Sequence, residues 1–552
     1  MSDIDRTPIG KTTTTYQIAS TVDEYFFWIK DGVEIQPYDF VTAVDGAFCT
    51  VGTVAEIANY TDAVSHLSNR IVSEISGTDQ LERLSATVAK VTVFHSYILQ
   101  NGTKIGKRYP VSSGADVFIS DETEIIDGLN AGGSLDQTYP AGIISRTSGE
   151  DVVVPLQSDY LIGPESAHMN VSGISGLATK TSYMMFLLYS INRHNPGKFL
   201  NIIFNLKGAD LMNIDVRNDS LDSHDLAVYK LIFGDESPEP FKKVRYLQPR
   251  GPDGEPSSFS SRKEEIYAFS FEDVYCDLDL LFSNVRDDYH TAESFNRFIS
   301  RDWNDRNRRW ELNGSYQKAG RNIRVNQQAS NWHELMDILD NHSDEVSGFY
   351  GLYSTTVNRI KRELARLTHS SIFVDQRSRS ELFIREVIRN AEAGQSIVID
   401  IAKLGPNEQT FVVGEIFREL NSIIYQENEE SAKKAIVVVD ELNSIAPANQ
   451  QSPLKEQIIE IARKGRSVGY IIFGAEQFAS EVDNQIIGNS SLRVLGRTSS
   501  MEISSSAFRN FTQQEKNTVM MLRKGEMLIS FPTFRANVKI LFPRPPYKTN
   551  RR

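Results

Sequence analysis

Hydrophobic and polar positions divide this chain into two regimes. Up to about residue 127 the apolar residues come in short runs, Tyr38–Val44, Val51–Ile57, Val88–Ile98 and Asp116–Ile119, separated by turn-forming residues. That spacing predicts short strands, and several of them in succession predict a small N-terminal β-barrel over 1–127. Asn130–Thr138, with Gly132, Gly133 and Ser134, reads as part of a linker over 128–154. From about residue 155 the apolar runs become unbroken. Leu200–Leu206, Ser396–Asp400, Lys434–Val439 and Gly469–Ala475 predict buried strands, and Leu492–Arg497 a further one. Glu408–Ile424 predicts a helix, as does the segment opened by Ser452 as N-cap and Pro453 as first helical residue. Unbroken β-branched runs suit strands covered on both faces, so an α/β fold with a mainly parallel sheet is expected over 155–541. Between 217 and 390 a long polar stretch carries helical patterns at Tyr289–Ser300, Asn331–Asn341, Ser354–Leu367 and Ser380–Asn390. It reads as a mostly helical insertion, and 542–552 as a C-terminal tail.

The chemistry concentrates at the end of one predicted strand. Lys434–Val439 delivers Asp440 and Glu441 to a carboxyl end, where ligands of parallel sheets bind. In a nucleotide-hydrolysing site the first acid would hold Mg²⁺ and the second would polarise the attacking water. The competing reading is a strand ending in solvated acids. Far upstream, Gly173–Ser182 supplies a partner: a strand-like stretch, a Gly-rich turn and then a helical pattern in Met184, Leu187, Leu188 and Ile191. Free N–H groups in such a turn, together with the positive helix end, cradle phosphate. Gly173, Ser175, Gly176, Leu177, Ala178, Thr179, Lys180, Thr181 and Ser182 are the candidate nucleotide contacts. Lys180 would reach the β/γ-phosphates of ATP, and the Thr181 hydroxyl would join Asp440 on Mg²⁺. Thr179 stands where the usual motif has Gly, and Gly173 precedes Lys180 by seven residues rather than six. Further along, Gln477 at the end of a predicted strand is a candidate for the γ-phosphate or the attacking water. Arg493, with Arg463 and Arg497 behind it, is a candidate cation for a neighbouring subunit's site. Ordinary surface ion pairing is the simpler reading of these arginines.

Composition narrows the setting. The 552 residues predict at least two domains, and two cysteines, Cys49 and Cys276, support neither a disulfide framework nor a metal cluster. No apolar run approaches the roughly 18 residues of a membrane span, and the Met1–Gly10 start is polar. A cytoplasmic protein without membrane contact is expected. The net charge of −13 argues against a surface coated for nucleic acid, though not against a basic lining inside a ring. The most basic stretch, Arg301–Arg324, interleaves Trp303 and Trp310 with its cations, as some single-strand binders do. A solvated helix or loop face explains it more simply.

The order of these pieces resembles the HerA family of hexameric ATPases, in the FtsK-like branch of RecA-type P-loop motors. The resemblance rests on Gly173–Ser182, Val437–Leu442 with Pro447, Ile461–Arg466, Gly474–Gln477, Ser491–Arg497 and the closing Phe542–Tyr547. At the other end, Ile35–Phe40 and Val51–Val54 look like the family's N-terminal barrel. It covers most of the chain and is weak through the insertion; Asn443 stands where Ala is common. What it implies is a homohexameric ring that hydrolyses ATP and pumps double-stranded DNA. It also implies an effector enzyme, a nuclease or a sirtuin-like NAD-degrading protein, bound to the ring in antiphage defence. Two alternatives are a nucleotide-bound scaffold with little translocation and a DNA end-resection motor.

Overall fold

The computed structural model describes residues 6–62, 85–133, 137–174, 179–283, 291–367, 369–426 and 434–549. Two compact units emerge: one gathers 1–157, 231–233 and 511–542, the other 158–230, 234–510 and 543–552.

The first unit opens with β1 (Gly10–Thr13), β2 (Glu24–Ile29), β3 (Phe40–Asp45), β4 (Phe48–Thr61), β5 (Ser85–Gln100), β6 (Thr103–Gly106) and β7 (Asp116–Ile119). They pair in the order β2-β1-β7-β3-β4-β5, and β2 also pairs β5, so six strands close on themselves while β6 hangs from β5 as a hairpin. This is the small barrel expected near the N-terminus, with two strands, β1 and β2, beyond those expected. Alternate residues of β2, Tyr25, Phe27 and Ile29, point inward with Val41, Ala43, Val54, Ala89, Val91 and Val117 to form its core. Gly10 is required where β1 crosses β2, because a Cβ there would meet the Trp28 carbonyl oxygen at 2.0 Å. The stretch read as a linker contains two strands, β8 (Thr138–Ile144) and β9 (Val152–Gln157), paired antiparallel. β8 is buried at every position, a degree of burial its turn-like composition concealed.

The second unit is the α/β part. Its strands begin with β10 (Ala167–Ser172), β11 (Leu200–Asn205), β12 (Val244–Pro249) and β13 (Glu265–Tyr267). Next, β14 (Phe269–Ser270) pairs with a later strand, and β15 (Trp303–Asn304), β16 (Arg309–Lys318) and β17 (Arg321–Ala329) form an antiparallel sheet of their own. The partner of β14 is β18 (Phe373–Val374), and β19 (Glu381–Leu382), β20 (Ser396–Asp400), β21 (Ala435–Val439), β22 (Tyr470–Glu476) and β23 (Ser490–Leu495) complete the set. Nine strands of this unit, in the order β19-β13-β12-β20-β11-β21-β22-β10-β23, pair in parallel throughout. β10, β11, β20, β21 and β22 are buried at every residue. The segment 217–390 carries the expected helices and also three strands of this sheet, β12, β13 and β19, together with the β15–β17 sheet.

The basic stretch Arg301–Arg324 is therefore mostly a β-hairpin. Its Trp303 stacks on Tyr275 at 3.9 Å between centroids, while Trp310 is fully buried and donates to the Tyr350 hydroxyl. Arg301, Arg308, Arg309 and Lys318 pair with Asp302, Glu272, Glu311 and Asp344. The two indoles belong to packing, not to a base-stacking surface. In the first unit, β24 (Glu526–Ser530) and β25 (Val538–Leu541) continue antiparallel beside β8 and β9. No helix among the described residues is long and apolar enough to cross a membrane.

Candidate functional site

Three strands of the parallel sheet bring the candidate residues to one edge. β10 ends at Ser172, β21 at Val439 and β22 at Glu476, with β22 lying between the other two. All three run the same way, so the residues that follow them emerge together.

After β10 the chain passes close against the turn after β23. Gly173 donates to the Glu476 carbonyl at 3.2 Å, Ile174 to the Arg497 carbonyl at 2.8 Å, and Gly496 to the Ser172 carbonyl at 2.8 Å. A Cβ on Gly173 would stand 3.2 Å from that Arg497 oxygen, a tight contact. Ser175, Gly176, Leu177 and Ala178 lie outside the described residues. The helix Thr179–His194 then begins, with Thr179, Lys180, Thr181 and Ser182 in its first turn, where backbone N–H groups have no partners within the helix. Lys180 is 6% exposed, and its Nζ has no hydrogen-bond partner among the described residues. Burial pulls its pKa down, and Asp440, Glu441 and Glu476 pull it back up without restoring the ordinary value. A buried ammonium without a hydrogen bond is costly, and an anion delivered to it would remove that cost.

Thr181 Oγ1 donates to Asp440 Oδ2 at 2.8 Å. The pair presents a hydroxyl and a carboxylate, hard oxygen donors of the kind Mg²⁺ takes, so the donor set fits that ion. Glu441 follows with φ at +57°, in the left-handed region. Its Oε1 accepts from Lys207 Nζ, at the end of β11, and from Gln477 Nε2 at 3.3 Å. Burial raises the pKa of Glu441, but the hydrogen bonds from Lys207 and Gln477 outweigh it and leave the carboxyl below its ordinary range. Gln477 thus meets the acid rather than standing alone.

Arg493 lies on β23, in register with Asn170 of β10, and is half-buried. Its Nη2 donates to the Ala507 carbonyl at 3.2 Å; burial lowers its pKa, and the nearby Glu476 raises it. Arg493 therefore sits on the strand that pairs directly with β10, whereas Arg463 and Arg497 are exposed.

Several residues at this edge were not singled out from the pattern. Lys207 holds Glu441. Lys455 is fully buried and binds the carbonyls of Pro447, Ala448 and Gln450 and the Asp483 carboxylate, fixing the loop that leads away from Glu441. Glu476, in the same dipeptide as Gln477, is fully buried against Asn170 and Ser172. The position of Lys207 just past a strand adjacent to β21 was a usable signal; nothing in the pattern marked Lys455 as more than a helix-face cation.

No protein-family model matches the chain, and no curated protein matches it. Among solved structures, the bacterial conjugative coupling protein TrwB in its unbound monoclinic form is similar. It shares 13% identity over 79% of this chain and 94% of that chain, with a TM-score of 0.47. The plasmid coupling protein TrwB in complex with ADP and Mg²⁺ shares 14% identity over 76% and 98%, with a TM-score of 0.44. VirB4 of Thermoanaerobacter pseudethanolicus shares 12% identity over 75% and 98%, with a TM-score of 0.42. At such identities and scores the chemistry of this chain is read from its own side chains.

Proposed function

We propose that this chain is a P-loop ATPase of the RecA-like type that assembles as a homohexameric ring and drives double-stranded DNA. The observation that carries the ATPase reading is a single cluster at the sheet edge. Lys180 is buried with its ammonium lacking a hydrogen bond among the described residues, and one helix residue later Thr181 is bonded to Asp440. A cation waiting for an anion beside a hydroxyl–carboxylate pair suits a nucleoside triphosphate with Mg²⁺.

Each side chain then has a task. Lys180 and the start of its helix meet phosphate charge. Thr181 and Asp440 would hold Mg²⁺, which when bound neutralises charge on the phosphates. Glu441, held by Lys207 and Gln477, would orient a water and accept its proton as the water oxygen bonds to the γ-phosphorus and the bond to the leaving ADP oxygen breaks. Ionised at neutral pH, it is in the right state to do so.

The ring, the DNA substrate, the cytoplasmic setting and the effector enzyme draw their support from the HerA resemblance of the motifs. In that reading the N-terminal barrel docks a nuclease or a sirtuin-like NAD-degrading partner, and the assembly serves antiphage defence. The test uses the purified full chain. ATP hydrolysis stimulated by double-stranded DNA, and lost in Lys180→Ala, is the expected result. Absence of hydrolysis with and without DNA would overturn the motor, and tight ATP binding in that case would leave a nucleotide-bound scaffold.

A further inference from the structure

At the carboxyl end of β22 lies a polar group that the proposed reaction does not use. Glu476, the last residue of β22, is 0% exposed. It stands in register with Ser172 of β10, and Asn170 lies two residues earlier on the same face of that strand. Asn170 Nδ2 donates to Glu476 Oε2 at 2.9 Å, Ser172 Oγ is hydrogen-bonded to Glu476 Oε1, and Ser172 Oγ reaches Asn170 Oδ1 at 3.4 Å. Three side chains thus make a closed triangle.

The triangle closes best in one protonation state. With a neutral carboxyl, the Glu476 O–H donates to Ser172, the Ser172 O–H to Asn170 Oδ1, and the Asn170 N–H to the other Glu476 oxygen. Three donors then meet three acceptors. With an ionised carboxylate, Ser172 and Asn170 both donate to Glu476, and the buried Asn170 carbonyl oxygen loses its donor. The charged groups that act on Glu476 are Lys180, from the helix Thr179–His194, and Arg493, from β23; both favour the ionised form. Asp440 and Glu441 act, with Glu476, on Lys180.

We propose that Glu476 is a positioning residue held as a neutral acid in this ring, and that its neutrality reserves the Lys180 ammonium for nucleotide phosphate. An ionised carboxylate there would compete with the phosphates for Lys180 and add negative charge beside them. The second half of this inference rests on the ATPase reading; the first does not. Burial agrees with it, pushing the Glu476 carboxyl up to about 8 against the opposing pull of Ser172, Asn170, Lys180 and Arg493.

Two measurements on the full chain test it. Infrared difference spectroscopy through a pH titration should show a protonated-carboxyl band that disappears as pH rises through about 8 and is missing in Glu476→Gln. Absence of that band in the wild type at neutral pH would overturn the proposal. Should Glu476→Gln not fold, Ser172→Ala serves instead: it opens the triangle, so the pH at which the band disappears should shift from that of the wild type, and an unmoved midpoint would detach the triangle from the protonation state. The second measurement is the affinity for a non-hydrolysable ATP analogue. Across the same rise in pH the wild type should lose roughly tenfold more affinity than Glu476→Gln, about the effect of one nearby charge at intermediate dielectric. Identical pH profiles for the two proteins would overturn the role toward Lys180. If neither protein binds the analogue while the band is present, the ATPase reading fails and the neutral acid stands.

Discussion

Thr181 Oγ1 and Asp440 Oδ2 are 2.8 Å apart, although 259 residues separate them in the chain. The contact joins the first turn of one helix to the end of β21 across the intervening strand β22. If the pair holds Mg²⁺, Asp440→Asn keeps a hydrogen-bonding side chain but removes the charge that binds the ion. Titration calorimetry should then show that Mg²⁺ no longer improves nucleotide affinity, and turnover should drop roughly a hundredfold or more. Undiminished Mg²⁺ dependence in Asp440→Asn would remove this pair from the metal site.

Lys180 and Glu441 separate binding from chemistry. Lys180→Ala should lose nucleotide binding, since it deletes the buried cation. Glu441→Gln keeps a similar shape and hydrogen bonding but cannot take a proton, so it should bind ATP and turn over about 10²–10⁴-fold more slowly. Equilibrium binding alongside steady-state hydrolysis distinguishes the two, and normal turnover in both variants contradicts the assigned roles.

Glu441 also carries backbone strain. At φ +57° a residue with a Cβ costs about 1–2 kcal/mol relative to glycine. Glu441→Gly removes this strain while losing the contacts to Lys207 and Gln477. Thermal denaturation should therefore show little or no loss of stability in Glu441→Gly, while hydrolysis collapses. A large fall in melting temperature would mean that the side-chain contacts, not the catalytic role, account for the acid at this position.

Much of this site could be read from the pattern, for identifiable reasons. β21 and β22 are buried on both faces, so their apolar runs are unbroken and their ends fall where the run stops. The helix that starts at Pro453 is capped by Ser452 Oγ, which accepts from the Lys455 N–H, and it ends on Gly469 at φ +84°; both ends are written in residue type. β2 was hidden because Tyr25, Phe26, Phe27, Trp28 and Ile29 are all apolar, which masks the inside–outside alternation that the structure displays. β1, with the sequence Gly-Lys-Thr-Thr, owes its place to backbone pairing with β2 and β7. The hairpin β16–β17 was read as helix or loop because its polar residues face outward on a small sheet with few buried positions. The Glu476 ring was illegible for a different reason. It depends on the lateral register of β10 against β22, which no local pattern encodes.

Glu476 also makes stability depend on pH. Its folded-state pKa, about 8, lies above the ordinary 4.5 because burial favours the neutral form. Between those two values the folded protein binds this proton more tightly than the unfolded chain, so the contribution of Glu476 to stability is full below 4.5 and is lost as pH rises toward 8. Glu476→Gln has no proton to lose. Across that window its melting temperature should fall less steeply than that of the wild type, and at the alkaline end it should be the more stable protein. Parallel melting curves at every pH would show that folding does not raise the Glu476 pKa.

The arginines bear on assembly. A site shared between ring subunits needs a cation that can leave its own subunit's surface, as arginine fingers do. Arg493 has its Nη2 on the Ala507 carbonyl and faces Glu476, so its geometry suits service to its own site; Arg497, exposed after β23, is better placed to reach a neighbour. This shifts the expected trans-acting cation from Arg493 to Arg497. Subunit mixing separates the two roles. Arg497→Ala and Lys180→Ala chains, each inactive alone, should regain activity when mixed, because some interfaces then combine an intact phosphate loop with an intact arginine. Arg493→Ala mixed with Lys180→Ala should regain none beyond the average of the two. Recovery with Arg493→Ala instead would restore Arg493 as the trans cation. A protein that stays monomeric at all concentrations while hydrolysing ATP at full rate would remove the ring itself.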